Sequence, residues 1–376
     1  MPGSTLRPAV SRPPRILILS ASIGEGHDLP AQVLADGLIA EAPGAEVEIV
    51  DALATVGGFV ERTVLGGSHF ESKWGGRLFD LEFKLITDVR PTRWFAGKVM
   101  IGLSSGPILR RVEEAAPDVV VSTYPGATEV LGRAKVRGRL QLPLVSAITD
   151  LTALRYWAHP AIDLHLITHP ESEPEVREIA PGSEIACVRG LTRREFYEPR
   201  DRAEARRSLD LPEQGRVVVV SGGGWAVGDL TGAAEAALAQ PDTTVVCLCG
   251  RNEEVRLALV DCFDGEQRVV VMGFSDRIDD LFAAADVLVH STAGLTVLEA
   301  LMRGCCVISY GWGHGHIRVN NAAYRRLGLA EVAAERAELD LALSRALAQA
   351  APGDQTAWFA GLPSAAGRVL ALLSGE

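Results

Sequence analysis

Residues 15–38 read RILILSASIGEGHDLPAQVLADGL. RILILSA (15–21) is short, apolar and without alternation, the pattern of a parallel strand buried on both faces. The glycines Gly24 and Gly26 flank an acid and precede His27, and a helix-forming segment follows. Strand, glycine loop and helix in that order make one α/β repeat.

The same repeat runs outward along the chain. Further strands are expected at 45–51, 118–123, 143–149, 164–168 and 185–190, and a second series at 216–223, 243–250, 268–274, 286–291 and 306–311. Between the series lies LTRREFYEPRDRAEARRSLDLPEQG (191–215), charged and without a strand of its own. The expected layout is a disordered, proline-rich lead-in (1–14), an α/β domain (15–190), a linker (191–215), a second α/β domain (216–360) and a C-terminal helix (361–376). Each domain reads as a doubly wound sheet, whose ligands bind beyond the C-terminal strand ends.

Composition sets outer limits. The 376 residues carry a net charge of −11, which argues against binding nucleic acid over the whole surface. Six cysteines form no C-x-x-C pair and read as small apolar residues in a reducing compartment. No apolar run reaches the roughly 20 residues of a spanning helix, and the lead-in lacks the apolar core of a signal peptide. The expected location is the cytoplasm, with any membrane contact peripheral.

The second series carries an anion site. In VVVVSGGGWAVGDL (217–230) Gly222, Gly223 and Gly224 join a strand to a helix, so backbone N–H groups can approach a phosphate. No lysine follows as in a P-loop, and the spacing is not that of a dinucleotide fingerprint. HSTAGLTVLEALMRG (290–304) places Ser291, Thr292, Ala293, Gly294, Leu295 and Thr296 at another strand-to-helix junction. Glu299, one turn into that helix, can accept both hydroxyls of a ribose. Gly273-Phe274 ends a strand, and GWGHGHIRVNNAAY (311–324) is a glycine and histidine loop running into a helix.

Together these residues resemble the donor half of GT-B glycosyltransferases, in the group of monogalactosyldiacylglycerol synthases, processive diacylglycerol glycosyltransferases and the peptidoglycan lipid N-acetylglucosaminyltransferase. That group carries a GF pair, an AG turn, E-A-L-x-x-G and a G-Q-x-x-x-N loop. Gly273-Phe274, Ala293-Gly294, Glu299-Ala300-Leu301 with Gly304, and Gly315-His316 with Asn320 match in this sequence. In the first half, SASIGEGHDLPA (20–31), PDVVVSTYP (117–125) and AITDLTALRYWAHPAIDLHLITHPE (147–171) resemble segments of the lipid-directed members. Four positions depart: His290-Ser291 stands for a lysine-containing pair, His316 for glutamine, and Thr192 for proline.

The resemblance implies two Rossmann-like domains facing each other across a cleft, a UDP-sugar donor, and transfer to a lipid hydroxyl with inversion. Donor contacts would fall on Gly223, Gly224, Phe274 at the uracil, Ser291–Thr296 at the diphosphate, Glu299 at the ribose, and His316 and Asn320 near the sugar. His27 suits a base for the acceptor hydroxyl, histidine titrating near pH ~6.5; Asp150 is the rival base or the group that orients it. No D-x-D or ligand cluster calls for a metal, and no cofactor is expected beyond the donor. Gly24 and Gly26 would make room for the acceptor. Between 84 and 111 six cationic side chains face one acid, Asp88, and Arg93, Trp94, Phe95 and Lys98 lie among them, a stretch suited to an anionic leaflet. The alternatives are transfer to a soluble natural product and a binding protein of the same shape without turnover.

Overall fold

The computed structural model describes residues 12–22, 25–57, 90–152, 154–311, 315–349 and 353–375. The chain forms two compact units, one of Met1–Arg193 with Leu362–Glu376 and the other of Arg194–Gly361.

Unit 1 holds strands β1 (Arg15–Ser20), β2 (Glu46–Asp51), β3 (Val119–Ser122), β4 (Leu144–Ile148), β5 (Leu164–Ile167) and β6 (Glu184–Cys187). Its helices are α1 (Glu25–Glu41), α2 (Ala52–Val56), α3 (Arg90–Ala115), α4 (Pro125–Val136) and α5 (Glu173–Ile179). The six strands are parallel in the order β2-β1-β3-β4-β5-β6. β1 shows why its sequence does not alternate: Ile16 and Ile18 pack with α1 on one face, Leu17 and Leu19 with α3 and α4 on the other. Both faces are dry, so both sets of positions are apolar.

Unit 2 holds α6 (Arg202–Ser208), β7 (Arg216–Ser221), α7 (Leu230–Leu238), β8 (Thr243–Leu248), α8 (Glu253–Cys262), β9 (Val269–Met272) and α9 (Ile278–Ala284). Then come β10 (Val287–His290), α10 (Leu295–Met302), β11 (Cys306–Tyr310), α11 (Gly315–Leu327), β12 (Glu331–Ala333), α12 (Arg336–Ala348) and α13 (Thr356–Ala360). The parallel sheet runs β12-β11-β10-β7-β8-β9, the strand order of a dinucleotide-binding fold counted from its first strand. The sequence reading missed β12, whose three residues make no apolar run.

Two segments differ from the expected layout. Residues 194–215, expected within a linker, are part of unit 2, because Arg206 of α6 is only 4 % exposed and enters its core. Its guanidinium donates to the Asp286 carboxylate (2.9 Å) and to the carbonyls of Ala284, Glu213 and Gly215. The C-terminal helix α14 (Ala365–Ser374) returns to unit 1 and lies against α1, where a Cβ on Gly37 would stand 3.3 Å from that of Ala366.

Candidate active site

In a doubly wound sheet the crevice opens where the strand order reverses. In unit 1 that point lies between β1 and β3. His27, in the first turn of α1 after β1, reaches over to the segment after β3: its Nδ1 is 2.9 Å from the Thr123 carbonyl oxygen. A carbonyl only accepts, so Nδ1 carries the proton and the lone pair of the neutral ring sits on Nε2. The ring meets Tyr124 edge-to-face and Trp157 at a tilt, both with centroids 5.5 Å away.

Asp150, after β4, accepts from Trp157 Nε1 at 2.9 Å, and so bears on His27 through the indole. Asp28 accepts from Ser20 Oγ at 2.7 Å. Gly26 has open space where a Cβ would be, and its carbonyl accepts from Thr149 Oγ1 at 3.4 Å. His159, by contrast, is half-buried and held by local packing. Its Nδ1 accepts from the Ala161 amide, and its ring fills the place of a Gly132 Cβ. Gly24 lies outside the described residues, as do the side chains of Arg93, Trp94, Phe95 and Lys98, whose backbone forms the start of α3.

In unit 2 the reversal lies between β7 and β10, and the loops after these strands interlock. Gly222 is required by a tight turn, since a Cβ there would stand 2.5 Å from the Val227 nitrogen. Gly223 adopts φ +67° against Thr292. Ser291 donates its hydroxyl to the Val227 carbonyl, and its amide bonds the Ser221 carbonyl at 3.3 Å, so this residue ties the loops together. Gly294 caps α10 without any side-chain hydrogen bond. The first N–H groups of α10 are thus left for an anion. Leu295 and Glu299 of α10 are buried, and Thr296 is half-buried.

A third loop, missed in the sequence reading, completes this edge. Gly250, Arg251 and Asn252 follow β8. The Arg251 amide donates to the Gly224 carbonyl at 2.8 Å, and Asn252 Nδ2 donates to the Trp225 carbonyl at 3.1 Å. A Cβ on Gly250 (φ +54°) would stand 2.4 Å from the Gly224 oxygen. The Arg251 guanidinium lies 4.0 Å from the centre of the Phe274 ring, which is 41 % exposed. The signal was the C-G-R-N run at the strand end.

His290, at the end of β10, is buried beneath the phosphate turn. It stands edge-on to Tyr324 of α11, and burial pushes its pKa down to about 4, the Thr292 backbone offsetting this only in part. A neutral, buried ring does not replace the positive charge of a lysine. Asn320 is buried on α11, and the His316 side chain lies outside the described residues. Among the described residues, no three His, Cys, Asp or Glu side chains converge to hold an ion, and no helix is long and apolar enough to cross a membrane.

Known proteins match both units. A family model described as monogalactosyldiacylglycerol (MGDG) synthase matches residues 27–189, and one described as glycosyl transferases group 1 matches residues 217–339. The chain is a GT-B glycosyltransferase. This glycosyltransferase is 23 % identical over 338 residues to a processive diacylglycerol beta-glucosyltransferase of Bacillus cereus (strain 03BB102), covering 87 % of this chain and 84 % of that protein. The enzyme of the same description from Bacillus licheniformis is 23 % identical over 339 residues, covering 89 % and 86 %. Among solved structures, Acinetobacter baumannii MurG superposes with a TM-score of 0.58 at 15 % identity, covering 97 % of this chain and all of that one (100 %). Anabaena Alr3699/HepE, solved with UDP and glucose, gives 0.51 at 16 % identity, covering 96 % and 100 %. As a glycosyltransferase, the chain transfers hexosyl groups.

Proposed function

We propose that this glycosyltransferase moves a hexosyl group from a UDP-sugar to a lipid hydroxyl such as that of diacylglycerol, with inversion and without a metal. The observation that carries the reading is the His27–Thr123 hydrogen bond at the unit 1 reversal point, in a chain related along most of its length to diacylglycerol glucosyltransferases.

Unit 1 supplies the base. His27 Nε2 takes the proton of the acceptor hydroxyl as that oxygen attacks the anomeric carbon, and the bond from that carbon to the UDP oxygen breaks on the opposite face. The imidazolium so formed keeps its Nδ1–H on the Thr123 carbonyl and has aromatic rings on two sides. Unit 2 holds the donor. The free N–H groups at the start of α10 receive the negative charge gathering on departing UDP. Phe274, backed by Arg251, offers its exposed ring to the uracil, and Glu299 takes the ribose hydroxyls. Docking on the inner face of an anionic membrane is assigned to the start of α3.

Incubation with several UDP-hexoses and anionic vesicles containing diacylglycerol, in the presence of EDTA, is expected to release UDP and form a glycosylated lipid, with enzyme sedimenting with the vesicles. Transfer to water-soluble aglycones alone would overturn the lipid assignment, and a loss of turnover on chelation would overturn the metal-free one. Replacing Glu299 by Ala is expected to weaken UDP binding by about 1–3 kcal/mol, the worth of lost charge-assisted hydrogen bonds. Calorimetric titration with UDP checks this; unchanged affinity would remove Glu299 from the ribose site.

A further inference from the structure

The polar groups around His27 are mostly spent on one another. Ser122 Oγ donates to the Tyr124 carbonyl (2.7 Å), Thr128 Oγ1 to Ser122 Oγ (3.0 Å), Ser20 Oγ to Asp28 and Trp157 Nε1 to Asp150. Tyr124 is the exception: among the described residues nothing hydrogen-bonds its hydroxyl.

Three features hold the ring that carries this hydroxyl beside the base. Tyr124 directly follows Thr123, whose carbonyl fixes the His27 tautomer, and its ring stands at 77° to the imidazole. The phenol folds back over the start of α4. A Cβ on Gly126 would stand 2.6 Å from its Cε1 and 3.1 Å from its oxygen, so only glycine leaves the ring its place. Burial, with the Asp51 carboxylate adding to it, raises the phenol pKa to about 12. The group therefore stays a donor at any working pH.

We propose that the Tyr124 hydroxyl selects the acceptor by donating a hydrogen bond to a second acceptor oxygen, on the carbon next to the hydroxyl that His27 deprotonates. The inference rests on the function proposed above and narrows its acceptor to compounds with oxygens on adjacent carbons, as in glycerol or a sugar ring. A plain long-chain alcohol offers no such oxygen.

The test compares 1-monooleoylglycerol, dodecyl glucoside and hexadecan-1-ol as acceptors in mixed micelles. Tyr124→Phe removes one oxygen and keeps the ring on His27. KM for the oxygen-bearing acceptors is expected to rise roughly tenfold, the net worth of one hydrogen bond, with kcat and the hexadecanol reaction unchanged. A rise confined to the glucoside would locate the recognised oxygen on a sugar, and one confined to monooleoylglycerol on the glycerol. Gly126→Ala displaces the phenol without removing it and should give the same KM pattern, with a lower urea midpoint because the added methyl overpacks against the ring. Equal losses on all three acceptors, or no change on any, would overturn the proposal. If the wild type transfers to none of them, the proposed function falls, and calorimetric binding of monooleoylglycerol still decides Tyr124. A roughly tenfold weaker affinity in Tyr124→Phe upholds its role; equal affinity, or no binding by the wild type, ends it.

Discussion

Replacing His27 by Ala is expected to lower kcat/KM by about 10²–10⁴, the usual worth of a positioned general base, while UDP binds as before. The size follows from how firmly the ring is held. With Nδ1–H on the Thr123 carbonyl and rings on two sides, the imidazole reaches the transition state already turned to the acceptor. Water entering the vacated space is a poor substitute, neither oriented nor of matching basicity. Single-turnover product formation alongside UDP calorimetry checks both halves. Activity retained within about tenfold would take the proton-acceptor role from His27. Asp150→Asn should cost less, since its carboxylate accepts from the Trp157 indole and bears on the base only through that ring.

Arg206→Met is expected to destabilise the protein by about 3–5 kcal/mol, the cost of breaking a buried ion pair from one side. Methionine keeps much of the apolar stem but none of the donors. The Asp286 carboxylate would lose its one buried arginine, retaining the Val217 amide (2.8 Å) and the more exposed Arg202 (2.8 Å) and Arg216 (3.5 Å), and three carbonyls would lose theirs. Lysine should rescue little, because one ammonium does not reproduce a fork that meets four oxygens. Urea unfolding reads the effect, and a loss below about 1 kcal/mol would mean that the charge cluster is not what joins α6 to the sheet.

What was legible in the sequence was whatever local pattern alone determines. The β1 and β7 runs declare themselves because each strand is buried on both faces and every position must be apolar. His27 was legible as a candidate because glycines and a histidine at a strand end are conspicuous. Its tautomer was not, since it depends on a carbonyl 96 residues away. The segment 191–215 looked like a linker for the same reason: arginine-rich sequence reads as solvated until Asp286, far along the chain, supplies the partner. Gly250 was read as the last residue of a strand, and only the approach of the Gly224 oxygen shows why no other residue fits. The burial of His290 likewise follows from Tyr324, which a strand-to-helix reading does not bring near.

The return of α14 to unit 1, across the whole of unit 2, has a consequence for how the protein is made. Ala365, Ala366 and Val369 belong to the same apolar cluster as Ile16, Ile18, Leu34 and Leu38. Domains emerge from the ribosome in order and fold as units when they can. Here unit 1 waits for residues 365–374, which are translated after all of unit 2, and the apolar surface of α1 that receives α14 stays uncovered until they arrive. Unit 2, continuous in sequence, can finish before the unit that precedes it.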